Sequence, residues 1–120
     1  PGDGGAWLLP RVIGMSRASE LLYTGNTIDA VTAEAWGLVS RAVPHESLHE
    51  CVNSLAASIS CQPRHALRFT KSLMRQGQTS SYENILEMSA ALQAVSHLTD
   101  DHMEGVTALL EKRAPEFKGR

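Results

Sequence analysis

Long apolar runs, paired cysteines, aromatic residues and an excess of either charge are all scarce in this 120-residue sequence, and each shortage excludes a class of protein. No apolar stretch approaches the roughly 18–20 residues that a membrane-spanning helix needs. The first residues carry neither a basic n-region nor an apolar h-region, so no signal peptide is read there and a soluble chain is expected. Cys51 and Cys61 stand ten apart, which on a helix places them on different faces and fits neither a zinc knuckle nor a redox pair. Unpaired thiols suit a reducing, cytoplasmic-type compartment. With 11 basic and 13 acidic residues the net charge is -2, so no broad field draws nucleic acid or an anionic membrane, and neither is expected as a partner. Aromatics make up 5 % of the chain, and Trp7 and Trp36 are expected in the core or at an interface.

What the chain does have is helical spacing almost throughout, with no repeat and no low-complexity tract. Leu48, Val52, Leu55, Ala56 and Ile59 share one helical face, bounded by Pro44 before and Gln62-Pro63 after. Pro63 suits the first turn of a following helix, whose Ala66, Thr70, Leu73 and Met74 form a narrower stripe ending at Gly77. Ser80 or Ser81 can cap a third helix carrying Tyr82, Ile85, Leu86, Ser89, Leu92 and Val95. Thr99 caps a fourth, with Asp100 and Asp101 against the positive end of its dipole and Lys112 and Arg113 against the negative end. Its apolar side is Met103, Val106, Leu109 and Leu110.

Before Pro44 the elements are shorter. Helices are expected near residues 5–13 and 16–22, then a TGNT turn, then DAVTAEAWG, which Gly37 can end in the left-handed conformation. LVSRAV, residues 38–43, is the single candidate strand, too short and solitary to build a sheet by itself. The fold class expected is therefore mainly α with at most one short strand.

No local motif assembles an active site. HESLH, residues 45–49, satisfies the H-E-x-x-H pattern in which two His bind zinc and the Glu acts as general base. Val52 and Leu55 stand where an extended motif would place Gly and His, so a solvent-facing helix start is the preferred reading and no metal site is expected. GDGG, residues 2–5, can offer backbone N–H groups to an anion at a helix start. No GK[ST] follows and the dinucleotide fingerprint is absent, which favours a tight turn over a phosphate cradle. Asp3 in that turn is read first as a turn-former, with a carboxylate aimed into a cleft as the alternative. His65, His97 and His102 lack an acid or nucleophile at diagnostic spacing and are read as surface residues.

Three stretches taken in order say more. PGDGGAWLLPRVIG, ASELLYTGNTIDAVTAEAWGLVSRAVP and TDDHMEGVTALLEKRAPEFKGR together resemble the C-terminal part of the enoyl-CoA hydratase/isomerase (crotonase) family, over essentially the whole chain. The resemblance implies that PGDGG is an internal edge, and that the oxyanion-hole amides and catalytic glutamates belong to residues upstream of Pro1. It assigns no catalytic residue to this chain. Asp3 is the one acid it leaves in question, because dienoyl-CoA isomerases carry aspartate at this turn whereas typical hydratases have a small residue.

By the same resemblance, residues 1–43 are the end of the crotonase core and residues 44–120 a helical oligomerisation region, in a homo-oligomer that is a trimer or hexamer. Acyl-CoA is then the substrate, with no resident cofactor. Lys112 is implied to meet a phosphate of the CoA nucleotide of a neighbouring subunit, and Leu109 to touch its adenosine, although a larger aromatic is familiar there. The residues themselves also support a simpler role for Lys112, as a dipole partner at a helix end. A free-standing helical self-association module, using the apolar faces of residues 48–59 and 82–95, is the alternative from another class.

Overall fold

The computed structural model of the chain describes residues 2–120; Pro1, and with it the expected internal edge, lies outside them. Seven α-helices are present among the described residues: α1 Gly5–Ile13, α2 Met15–Thr24, α3 Ala30–Ala35, α4 Leu48–Ser60, α5 Arg64–Gln76, α6 Tyr82–His97 and α7 Asp100–Glu111. A 3-10 turn, His45–Ser47, leads into α4. The chain divides into two compact units, and the division falls inside α4 between Cys51 and Val52.

In the first unit α1 packs on α2. One residue joins them: Gly14, at φ 82 and ψ 159, a conformation open in practice only to glycine. The start of α1 lies beside the end of α2, where Leu22 Cδ2 is 4.0 Å from the position a Cβ on Gly5 would take. Small side chains let the helices approach, and Ala18 is 0 % exposed. The glycine turn before α1 folds tightly, with Gly4 at φ 89 and its carbonyl accepting from the N–H groups of both Trp7 and Leu8 at 3.0 Å.

α3 shows how fully a short helix can be specified locally. Asp29 caps its start, accepting from Thr32 N at 2.8 Å. Gly37 ends it at φ 76, with Gly37 N donating to Glu34 O at 2.9 Å and Leu38 N to Ala33 O at 2.8 Å. This pair of bonds is the Schellman motif, for which a left-handed residue is required.

The candidate strand needs correction. No strand forms over residues 38–43, which run through bends and irregular backbone. A strand exists only as a ladder with a partner, and no strand is present among the described residues to pair with it. Trp7 is half exposed, and the Arg11 guanidinium lies 3.8 Å from its ring centroid, within cation–π range.

In the second unit α5 packs on α6, and α6 on α7. Pro63 precedes α5 as its cap, Ser81 caps α6 by accepting from Asn84 N at 3.3 Å, and Thr99 caps α7 by accepting from His102 N at 3.2 Å. Gly77 ends α5 in the right-handed conformation, so it acts as a cap without using glycine's special freedom. The apolar stripes expected on α4 and α6 are formed, yet Leu48, Val52, Leu55, Ile59, Tyr82, Leu86 and Val95 all remain exposed.

Candidate functional site

α7 and the seven-residue stretch after Arg113 form a polar assembly joined by side-chain hydrogen bonds. Asp101, Glu104, Gly105 and Ala108 recur at helical spacing and so share one face of α7. The tail from Ala114 to Arg120 turns back along that face. Its register is fixed by backbone amides donating to two carboxylates and by one aromatic ring.

Nearest the start of α7, Asp101 is 3 % exposed. Its Oδ1 accepts from Lys118 N at 2.6 Å and Gly119 N at 3.1 Å, and its Oδ2 accepts from Gly119 N at 2.9 Å. The Asp101 N–H in turn donates to Arg120 O at 3.2 Å. One turn on, the Phe117 ring packs over Gly105, 3.5 Å from where a Cβ there would stand, an ordinary van der Waals distance. Ala108, 1 % exposed, completes this covered face.

Glu104 holds the other end of the tail. It accepts two parallel bonds from Arg113, Nη1 to Oε1 at 2.6 Å and Nη2 to Oε2 at 2.9 Å, and a third from Glu116 N at 2.8 Å. Such a fork-on-carboxylate pair is both strong and directional. The Arg113 bonds, followed by the Glu116 amide, hold the Glu104 carboxyl down at about 2 from an ordinary 4.5. The same partnership pushes the Arg113 guanidinium up. Arg113 Nε also reaches Glu111 Oε2 at 2.7 Å.

Between these two partners lies Lys112. It adopts φ 56 and ψ 39 and is the only non-glycine residue at positive φ among the described residues. Lys112 N donates to Leu109 O at 3.3 Å and Arg113 N to Ala108 O at 3.0 Å, the bonding of a Schellman cap with lysine where glycine is usual. A left-handed lysine costs about 1 kcal/mol or more relative to glycine. Lys112 is exposed and takes part in no ion pair among the described residues. Leu109, at the same end of α7, is 78 % exposed.

The candidates read from the sequence thus fall in two places. Lys112 and Leu109 come together at the end of α7, whereas Asp3 sits exposed in the turn before α1 in the other unit. HESLH is broken across two helix types, since His45 lies in the 3-10 turn and His49 in α4. No group of three or more His, Cys, Asp or Glu side chains is placed to hold a metal among the described residues. His97 and His102 stack instead, with ring centroids 4.4 Å apart.

Arg113 has a partner that the dipole reading did not include. Standing just past the end of α7, it folds back onto Glu104 in a bidentate pair. The roles of Asp101 and Glu104 as tail anchors were not foreseen. For Glu104 the EGVTALLEKR stretch, in which an arginine follows the glutamate past the end of the helix, is the signal that could have found it.

Similarity to known proteins agrees with this architecture. A crystal structure of enoyl-CoA hydratase from Bacillus anthracis superposes with a TM-score of 0.95 at 38% identity, over 100% of this chain and 46% of that one. The described residues thus hold only helices, arranged as in part of that enoyl-CoA hydratase. The family model for enoyl-CoA hydratase/isomerase matches residues 1–120, and the chain belongs to that family. Among its relatives are a 1,2-epoxyphenylacetyl-CoA isomerase of Escherichia coli, 35% identical over 100% of this chain and 46% of that protein. A probable enoyl-CoA hydratase of Mycobacterium leprae is 40% identical over 100% of this chain and 47% of that protein. The chain spans about half the length of the curated relatives it matches. No helix among the described residues is long and apolar enough to cross a membrane.

Proposed function

We propose that this chain is the C-terminal helical portion of a cytoplasmic acyl-CoA enzyme, with hydration of a trans-2-enoyl-CoA as its default reaction and no resident cofactor. Addition of water at the β-carbon builds negative charge on the thioester oxygen, which preorganised N–H donors stabilise while carboxylates move the proton. Under this reading those groups belong to the rest of the parent protein. Residues 1–43 end the catalytic core, and residues 44–120 serve assembly into a trimer or hexamer and complete the CoA site of a neighbouring subunit.

The observation that carries this reading is the state of Lys112, an exposed cation in a left-handed conformation, next in sequence to Glu111, whose carboxylate Arg113 already engages. Strain of this kind at a surface residue is a pointer to function. An ammonium without a carboxylate partner suits a phosphate, and exposed Leu109 beside it suits the adenosine face. The exposed stripes of α4 and α6 support the assembly role, and they are also what the self-association module would use.

Binding of an unreactive CoA thioester and of its pantetheine counterpart, which lacks the nucleotide, tests the reading in the intact parent protein. Lys112→Ala is expected to weaken the CoA thioester about tenfold, the value of one charge-assisted contact, and to leave the pantetheine thioester unchanged. Lys112→Gly is expected to do the same while raising stability by about 1 kcal/mol, because glycine accepts the left-handed cap. Unaltered CoA affinity in both variants would remove Lys112 from the nucleotide site.

A further inference from the structure

We propose that Glu104 is a positioning residue for Lys112, acting through Arg113; the inference rests on the nucleotide-contact reading above. Lys112 is bracketed in sequence by Glu111 and Arg113, and these two are tied to each other at 2.7 Å. Glu104 then fixes Arg113 from the body of α7 through the two bonds at 2.6 and 2.9 Å. With both neighbours anchored, the backbone between them has little freedom, and Lys112 is held in the left-handed well that a free lysine would leave.

The arrangement has an electrostatic consequence as well. Glu104 and Glu111 are the carboxylates joined to Arg113, and its guanidinium engages both. The Lys112 ammonium is thereby spared the local pairing that would compete with a phosphate. Glu104 also tethers the tail through Glu116 N, so the same carboxylate sets both the cap and the chain that follows it. None of this requires Glu104 to touch the ligand.

Glu104→Gln tests the idea in the intact protein, since the amide keeps an acceptor for Glu116 N but loses the charge and the matched fork on Arg113. The expected result is a three- to tenfold weaker CoA thioester with the pantetheine thioester unaffected, and a raised KM for a CoA substrate with kcat unchanged. Combining Glu104→Gln with Lys112→Ala should weaken the CoA thioester no further than Lys112→Ala alone, because both changes remove one contact. Arg113→Lys, which keeps the charge but not the planar fork, is a second variant expected to act in the same direction and serves if the first does not fold.

Equal weakening of both thioesters, or none, would show that Glu104 only supports the fold and would overturn the proposal. If Lys112→Ala costs CoA affinity but neither Glu104→Gln nor Arg113→Lys does, the positioning role fails and the nucleotide contact stands. If Lys112→Ala leaves CoA affinity intact, the nucleotide contact itself fails and takes the positioning role with it.

Discussion

Asp101→Ala is expected to cost the second unit about 3 kcal/mol and to release residues 118–120 from α7. The estimate follows from what the carboxylate does. It is 3 % exposed, and its two oxygens take the amides of Lys118 and Gly119. Alanine would leave those donors facing a gap, and each unsatisfied group forfeits its desolvation cost, on the order of 1–3 kcal/mol. Asp101→Asn keeps acceptor capacity in one oxygen and should fall between the two. Chemical denaturation gives the stability change, and amide exchange at Lys118 and Gly119 reads the release of the tail. A loss below about 0.5 kcal/mol, within the range of ordinary surface substitutions, would mean that the tail is not anchored there.

The first unit depends on a different kind of feature. Gly14→Ala is expected to cost about 2 kcal/mol, because φ 82 with ψ 159 lies where only glycine is comfortable. No atom lies within 4 Å of the position its Cβ would take, so the penalty is in the backbone and neighbouring side chains cannot relieve it by moving. Gly25→Ala provides the comparison. Gly25 caps α2 at φ 67 and ψ 14, the ordinary left-handed well, which alanine enters at about 1 kcal/mol. Thermal or denaturant unfolding of the two variants should rank Gly14→Ala as the more damaging. The reverse order would show that the one-residue link between α1 and α2 relaxes freely.

These sites also mark what the sequence could and could not reveal. Ser81, Thr99, Pro63 and Gly37 act within three or four residues of themselves, so their roles as helix boundaries were legible from local chemistry. The strand read over residues 38–43 was wrong because β structure depends on a partner that no local pattern can supply. The tail anchors escaped notice for a related reason. Asp101 meets Lys118 and Gly119, and Glu104 meets Arg113 and Glu116, across separations of nine residues and more. A helix-start aspartate is explained well enough by the dipole that nothing in its spacing calls for another role.

Lys112 shows the same limit at a single residue. Its position near a helix end was legible, but its left-handed conformation was not, since that place in a Schellman cap is ordinarily glycine. Trp7, expected in the core or at an interface, is half exposed within this chain, with Arg11 over one face of the ring. Family resemblance carried the functional reading further than spacing did, since no complete active site could be assembled from the residues alone.

Crotonyl-CoA hydration, followed by loss of the conjugated thioester's ultraviolet absorbance, separates the proposed roles when run on the intact parent protein and on the 120-residue chain alone. Turnover is expected from the intact protein and none from the chain, whose helices are proposed to serve assembly and nucleotide binding while the oxyanion-stabilising donors lie elsewhere. Hydration by a pure sample of the chain would contradict that division of labour. An intact protein that self-associates but transforms no enoyl-CoA would contradict the enzyme reading and leave the self-association module in its place.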